Sequence, residues 1–171
     1  MALLLPTAAV DRVTDITPRL LGAMKVNSII LDVDNTLAIH GSQEPFEGTI
    51  EWAHFMRSQH FNIIIMSNNS KKRVAPFAAK YGLPFMYLSL KPIPLAYHLA
   101  IRKMGVRHKD VVVVGDQIFT DVIGANLAFM KSILLVPAGG ENSLSFTIRR
   151  GLEKPLRHLI EVSKRGRKYF D

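Results

Sequence analysis

Asp32 and Asp34 are the residues of this chain with the most chemistry to offer. They stand two apart at the end of an apolar run, and on an extended chain that spacing turns both carboxylates to one face, with Val33 turned to the other. Carboxylates held so close need a positive charge to stay ionised together. A hard divalent cation with oxygen ligands meets that need. Asp116 closes another apolar run and can complete such a site. Asp121, five residues on, can be a further ligand, a support behind the ligands, or a helix N-cap. Ser67 and Lys91 bring a hydroxyl donor and a point positive charge, both suited to a phosphate. Backbone N–H groups in the turn after Asp34 are expected to add donors. Together these groups suit phosphoryl transfer. The chain has no cysteine and shows no Ser–His pairing, so a carboxylate is the most economical nucleophile. Its six histidines are scattered without ligand spacing, which argues against a zinc site.

These groups must be carried by strands. Five short apolar runs recur: 27–33, 61–66, 85–88, 111–114 and 132–136. Most are nearly continuous and rich in β-branched or aromatic residues, as in strands buried on both faces of a parallel sheet. Helices are expected between them, over 49–59, 71–81, 93–104 and 121–129, with Pro76 expected to end or kink the second. A βαβαβαβαβ order implies an α/β fold, a three-layer, Rossmann-like, doubly wound parallel sheet of five strands. In such sheets ligands bind beyond the carboxyl ends of the strands, where the strand order reverses. Asp32, Asp34, Ser67, Lys91 and Asp116 all lie at or just past such ends.

With 171 residues, no repeat and no linker, the chain is expected to be one domain with its core at about 25–136. The apolar opening Met1 to Val10 is too short to span a bilayer and lacks a basic lead-in, so it is read as a segment packed on the domain. A basic helical region follows at about 143–165, with breaks expected at Gly151 and Pro155. The net charge of +8 is concentrated there: residues 149–168 hold eight lysines and arginines against Glu153 and Glu161. A solvated face is the default reading of that charge, with peripheral membrane contact open and nucleic acid disfavoured.

The run Ile29-Ile30-Leu31-Asp32-Val33-Asp34-Asn35-Thr36-Leu37 resembles the first motif of the haloacid dehalogenase superfamily. Ser67-Asn68-Asn69 is similar to its second, Lys91-Pro92 to its third, and Gly115-Asp116 through Asp121 to its fourth. Order and spacing agree over roughly 25–136, and the wording resembles the small bacterial subclass IIIA phosphatases of the YqeG type. Phosphatidylglycerophosphate phosphatases are a more distant likeness. The resemblance implies a phosphatase with Asp32 as nucleophile and Asp34 as acid and base. It implies that Ser67 and Lys91 hold the phosphoryl oxygens, supported by Thr36 and Asn68. Mg2+ would sit on Asp32, Asp116 and the backbone carbonyl of Asp34, with Asp121 a further candidate. It also implies a strand order that sets the first strand beside the fourth.

The connections leave no room for a cap domain, so an open site and a large phosphorylated substrate are expected, in the cytoplasm. Two other classes compete: a regulatory module that keeps a phospho-aspartate without turnover, and an adaptor that uses the basic tail. Asp34 speaks against the first, because it supplies the acid and base that clear the intermediate.

Overall fold

The computed structural model describes residues 3–136, together with Pro155 and His158. The expected basic helical region and its charges lie otherwise outside the described residues. Six strands form one sheet: β1 (Ala8–Val10), β2 (Ser28–Leu31), β3 (Asn62–Met66), β4 (Phe85–Met86), β5 (Val111–Gly115) and β6 (Lys131–Leu135). Their order is β1-β6-β5-β2-β3-β4, with every neighbouring pair parallel. Five of these are the expected strands, and the first of them, β2, lies beside the fourth, β5, as expected. The sixth is β1, from the opening segment, which pairs with β6 in the register Ala8 to Ile133. Three residues are too few to show a period of two, so the sequence marks this edge strand only as apolar.

Successive residues of the central strands face opposite layers, as the two-residue repeat of a strand requires. Ile29, Leu31, Ile63, Ile65, Val112 and Val114 join one core cluster. It is covered by α1 (Pro18–Ala23), α2 (Thr49–Ser58) and α3 (Lys71–Tyr81). Ile30, Ile64, Met66, Val111 and Val113 join the other, covered by α4 (Pro94–Met104) and α5 (Ile123–Leu127). The result is the three-layer α/β architecture.

Three local departures have physical causes. Helix α3 runs through Pro76. Pro76 is exposed, and the carbonyl that loses its donor belongs to Lys72, also exposed. Burying Val74, Phe77, Ala78 and Tyr81 contributes roughly 2 kcal/mol per large side chain, enough to offset the roughly 3 kcal/mol cost of an interior proline. The third run yields a strand of only two residues, because Leu88 turns into the left-handed region at φ 46°. The expected helix at 121–129 begins instead as a π-helical turn, Ile118–Val122, before α5.

The connections stay short. Residues 67–70 join β3 to α3, and 82–84 join α3 to β4. Residues 32–48 fold back on themselves through isolated bridges, Asp34 with Ala38 and Ala38 with Pro45. Among the described residues none of these segments is a cap.

Candidate active site

The carboxyl ends of β2, β3 and β5 converge on a cavity of about 150 Å³ bordered by Asp32, Asp34, Ser67, Asn68 and Lys91, with Asn69, His40, Gln117 and Thr120 completing its wall. Asp32 follows β2, Ser67 follows β3, and Asp116 follows β5. Strands β2 and β5 are adjacent, so Asp32 and Asp116 start from neighbouring strand ends.

The buried side of this cavity is ionic. Asp32, Asp116 and Asp121 each offer a carboxylate oxygen, all within 4.8 Å of one another. All three are buried, at 6%, 0% and 1% exposure. Lys91 lies between two of them: its ammonium donates to Asp32 Oδ1 and to Asp121 Oδ1, both at 2.7 Å. Burial pushes the Asp32 carboxyl up to about 7; the Lys91 ammonium pulls it down, and the charges of Asp121 and Asp34 add to the rise. Burial alone would lower Lys91, but the carboxylates of Asp121 and Asp32 outweigh it and hold the ammonium above its ordinary range. One ammonium therefore faces three carboxylates. That deficit, in a nest of hard oxygen donors without sulfur or imidazole, fits a divalent cation such as Mg2+.

The backbone is shaped around this nest. Asp121 sits in the π-helical turn, where its Oδ2 accepts from the Gln117 N–H at 3.2 Å. The N-cap residue of α5 is Val122, so Asp121 is not that helix's cap. A Cβ at position 115 would collide with the Asp121 carboxylate, so only glycine fits there. Asn68 completes the frame by pairing with the Lys91 backbone in both directions: Oδ1 accepts from the N–H at 2.7 Å, and Nδ2 donates to the carbonyl at 3.1 Å. Its amide thereby holds the Lys91 segment in place.

The other side is built of hydrogen bonds. Asp34 is also 6% exposed, yet its carboxylate is not part of the acidic triad. Oδ2 accepts from Asn69 Nδ2 at 2.5 Å, and Oδ1 from the Gly41 N–H at 3.0 Å. Arg73 Nη2 donates to Oδ1 at 3.3 Å, and His40 Nδ1 lies 3.5 Å from the same oxygen. Arg73 packs its guanidinium over the Phe77 ring, 5.2 Å from the centroid, while its Nε and Nη1 are buried without a hydrogen-bond partner.

The structure thus brings Asp32, Asp34, Ser67, Asn68 and Lys91 to one cavity, and groups Asp116 and Asp121 behind Asp32. It does not bring Thr36 there. Thr36 borders a separate cavity of about 260 Å³ with Thr14, Phe46 and Val136, and its buried Oγ1 has no hydrogen-bond partner. The expected backbone donors after Asp34 are used within the turn. The Asn35 N–H goes to the Ala38 carbonyl at 2.6 Å, and those of Thr36, Leu37 and Ala38 go to the Val33 carbonyl. Sequence reasoning missed Asn69, Arg73 and His40. Asn69 stands inside the quoted Ser67-Asn68-Asn69 run and could have been found by it. Arg73 lies on α3 and His40 on the folded-back loop, where no local pattern points to Asp34.

The model of the haloacid dehalogenase-like hydrolases matches residues 11–128. The chain is 35% identical over 162 residues to the probable phosphatase YqeG of Bacillus subtilis (strain 168), covering 95% of this chain and 93% of that one. NagD from E. coli K-12 shares the fold with a TM-score of 0.57 at 13% identity, over 71% of this chain and 91% of that one. A 4-nitrophenylphosphatase from Thermotoga maritima does so with 0.52 at 14%, over 74% and 91%. A match over most of the sheet, reinforced by a relative aligned along nearly the whole chain, makes this protein a member of the haloacid dehalogenase-like hydrolases.

Proposed function

We propose that the chain is a Mg2+-dependent phosphomonoesterase working through an aspartyl phosphate on Asp32. The observation that carries this reading is the sharing of Asp32 between an acidic triad and Lys91 at the floor of a cavity that also presents Ser67 and Asp34. The name of the Bacillus relative, a probable phosphatase, supports it.

In the first half-reaction an Asp32 oxygen attacks phosphorus, the bond to the ester oxygen breaks, and Asp34 gives the leaving oxygen its proton. In the second, Asp34 takes a proton from water as that water attacks phosphorus, and the aspartyl–phosphate bond breaks to release phosphate. Lys91 and Ser67 hold phosphoryl oxygens, and Asn68 keeps Lys91 in position. Asp32, Asp116 and Asp121 would hold the cation, with the Asp34 carbonyl a further candidate ligand. When bound, the cation supplies positive charge that keeps Asp32 ionised and offsets the charge on the phosphoryl oxygens. Asn69 and Arg73 fix the Asp34 carboxylate. A module that only stores phosphate has no use for an acid and base held so firmly beside the nucleophile.

Among substrates, the likeness to phosphatidylglycerophosphate phosphatases makes a lipid-borne phosphomonoester the first to test. No helix among the described residues is long and apolar enough to cross a membrane. We place the enzyme in the cytoplasm. The test is hydrolysis of p-nitrophenyl phosphate with and without Mg2+, by the wild type and by Asp32→Asn. Turnover that needs Mg2+ and vanishes in the variant supports the reading; near-normal hydrolysis by Asp32→Asn rejects it.

A further inference from the structure

Outside the C-terminal region the chain is close to neutral in sum, and that sum conceals a polarised layout. Residues 52–109 contain ten lysines and arginines and no aspartate or glutamate. They build α2, β3, α3, β4 and α4. Four of the ten meet carboxylates from outside this stretch, Arg73 with Asp34, Lys80 with Glu44, Lys91 with Asp32 and Asp121, and Arg107 with Asp110. That leaves six, exposed Lys71 and Lys72 among them, to charge the β3–β4 side.

The same side exposes an apolar crest. Tyr87, Leu88, Leu90, Ile93, Leu95 and Leu99 are each between 42% and 66% exposed. A groove of about 190 Å³ runs among them. Isolated exposed leucines are ordinary, but six large side chains within thirteen residues form a patch of the kind that marks a binding surface. Leu88 and Leu90 have φ of 46° and 54°, a left-handed conformation that leucine disfavours. Both side chains line the groove and stay more than half exposed.

The crest shares a rim with the catalytic cavity. The Leu88 N–H donates to the Asn69 carbonyl at 2.9 Å, and the Ser89 N–H to the Ser67 carbonyl at 3.1 Å. Lys91, inside the cavity, follows Leu90 directly. Exposed Lys71 and Lys72 open α3 immediately after this rim.

We infer that this face docks on an anionic phospholipid bilayer. The apolar crest enters the interface, Lys71 and Lys72 meet the headgroup phosphates, and the cavity mouth faces the membrane surface. Charge selects this occupant. A second copy would set like charges against each other across a two-fold axis. An anionic bilayer offers apolar depth and negative charge together.

The inference does not depend on turnover, and its test reads binding directly. Full-length protein is sedimented with phosphatidylcholine vesicles, with and without phosphatidylglycerol. Binding should require phosphatidylglycerol and should fall with added salt. Leu88→Asp with Leu90→Asp, which suits the left-handed backbone better than leucine, should weaken binding by about tenfold or more. That variant should keep its hydrolysis of soluble p-nitrophenyl phosphate, which shows that it is folded. Lys71→Glu with Lys72→Glu should weaken binding by a similar factor. The inference is overturned if the wild type ignores anionic vesicles. Unchanged binding by the leucine variant overturns it too, because another surface is then responsible. So does self-association of the wild type in sedimentation velocity that the leucine variant loses, since the crest is then an interface between copies.

Discussion

One side of the candidate active site groups Asp32, Asp116 and Asp121, with the Lys91 ammonium between Asp32 and Asp121; the other holds Asp34 among Asn69, Arg73 and the Gly41 amide. The two key carboxylates are two residues apart and equally shielded, at 6% exposure each. Their exposure is equal, so their neighbours set their roles apart. Burial pushes Asp32 up to about 7 and the charges of Asp121 and Asp34 add to the rise, so it calls for added positive charge. Asp34 is already supplied with donors. On the proposed reading the crevice is divided between charge on one side and oriented proton transfer on the other, and each side predicts a different kind of failure.

The largest effect should come from the proposed nucleophile. Asp32→Asn is expected to lower kcat by about 10⁴-fold or more while circular dichroism stays native. Gly115→Ala should come next, because its methyl group displaces Asp121 from the nest. Calorimetry should show weakened Mg2+ binding in that variant alongside reduced turnover. On the other side, Arg73→Ala should cost about tenfold in kcat with p-nitrophenyl phosphate. The loss should be larger with an alkyl phosphate, whose leaving oxygen needs the proton more. Arg73→Lys should recover part of it. An equal loss with both substrates would make Arg73 a structural residue and erase the division.

The smallest effect is one of pH. Asp32 has a folded-state pKa near 7 against 3.8 in the unfolded chain, so the folded state binds the extra proton between those values. Without a cation, stability should therefore fall as pH rises from about 4 to about 7. Added Mg2+ should raise Tm more at pH 8 than at pH 5, because the proton no longer competes for the site. Equal gains at both values would contradict the charge-deficit account.

Much of the acidic side was legible in the sequence, because strand ends carry it. Asp32, Ser67, Lys91 and Asp116 each close or follow an apolar run, and parallel strands place such ends together. Asp121 was read as a ligand, a support or an N-cap without a choice among them, since the π-helical turn that aims it inward leaves no periodic signature. The partners of Asp34 were far less legible. Arg73 reaches it across 39 residues of sequence from a helix face, and only the packing of α3 against the sheet brings it there. The edge strand β1 was too short to read, and the charge of residues 52–109 was hidden by summing it with the acidic residues elsewhere.

The central claim, an aspartyl phosphate on Asp32 cleared by Asp34, can be tested by intact-protein mass spectrometry of Asp34→Asn mixed with p-nitrophenyl phosphate and Mg2+. The nitrophenolate leaves without help, but water attack then lacks its base. The account predicts a covalent phosphate that accumulates on the peptide containing Asp32 and is absent when Asp32→Asn is added. Turnover without any phosphorylated protein, or phosphate on another peptide, would contradict it.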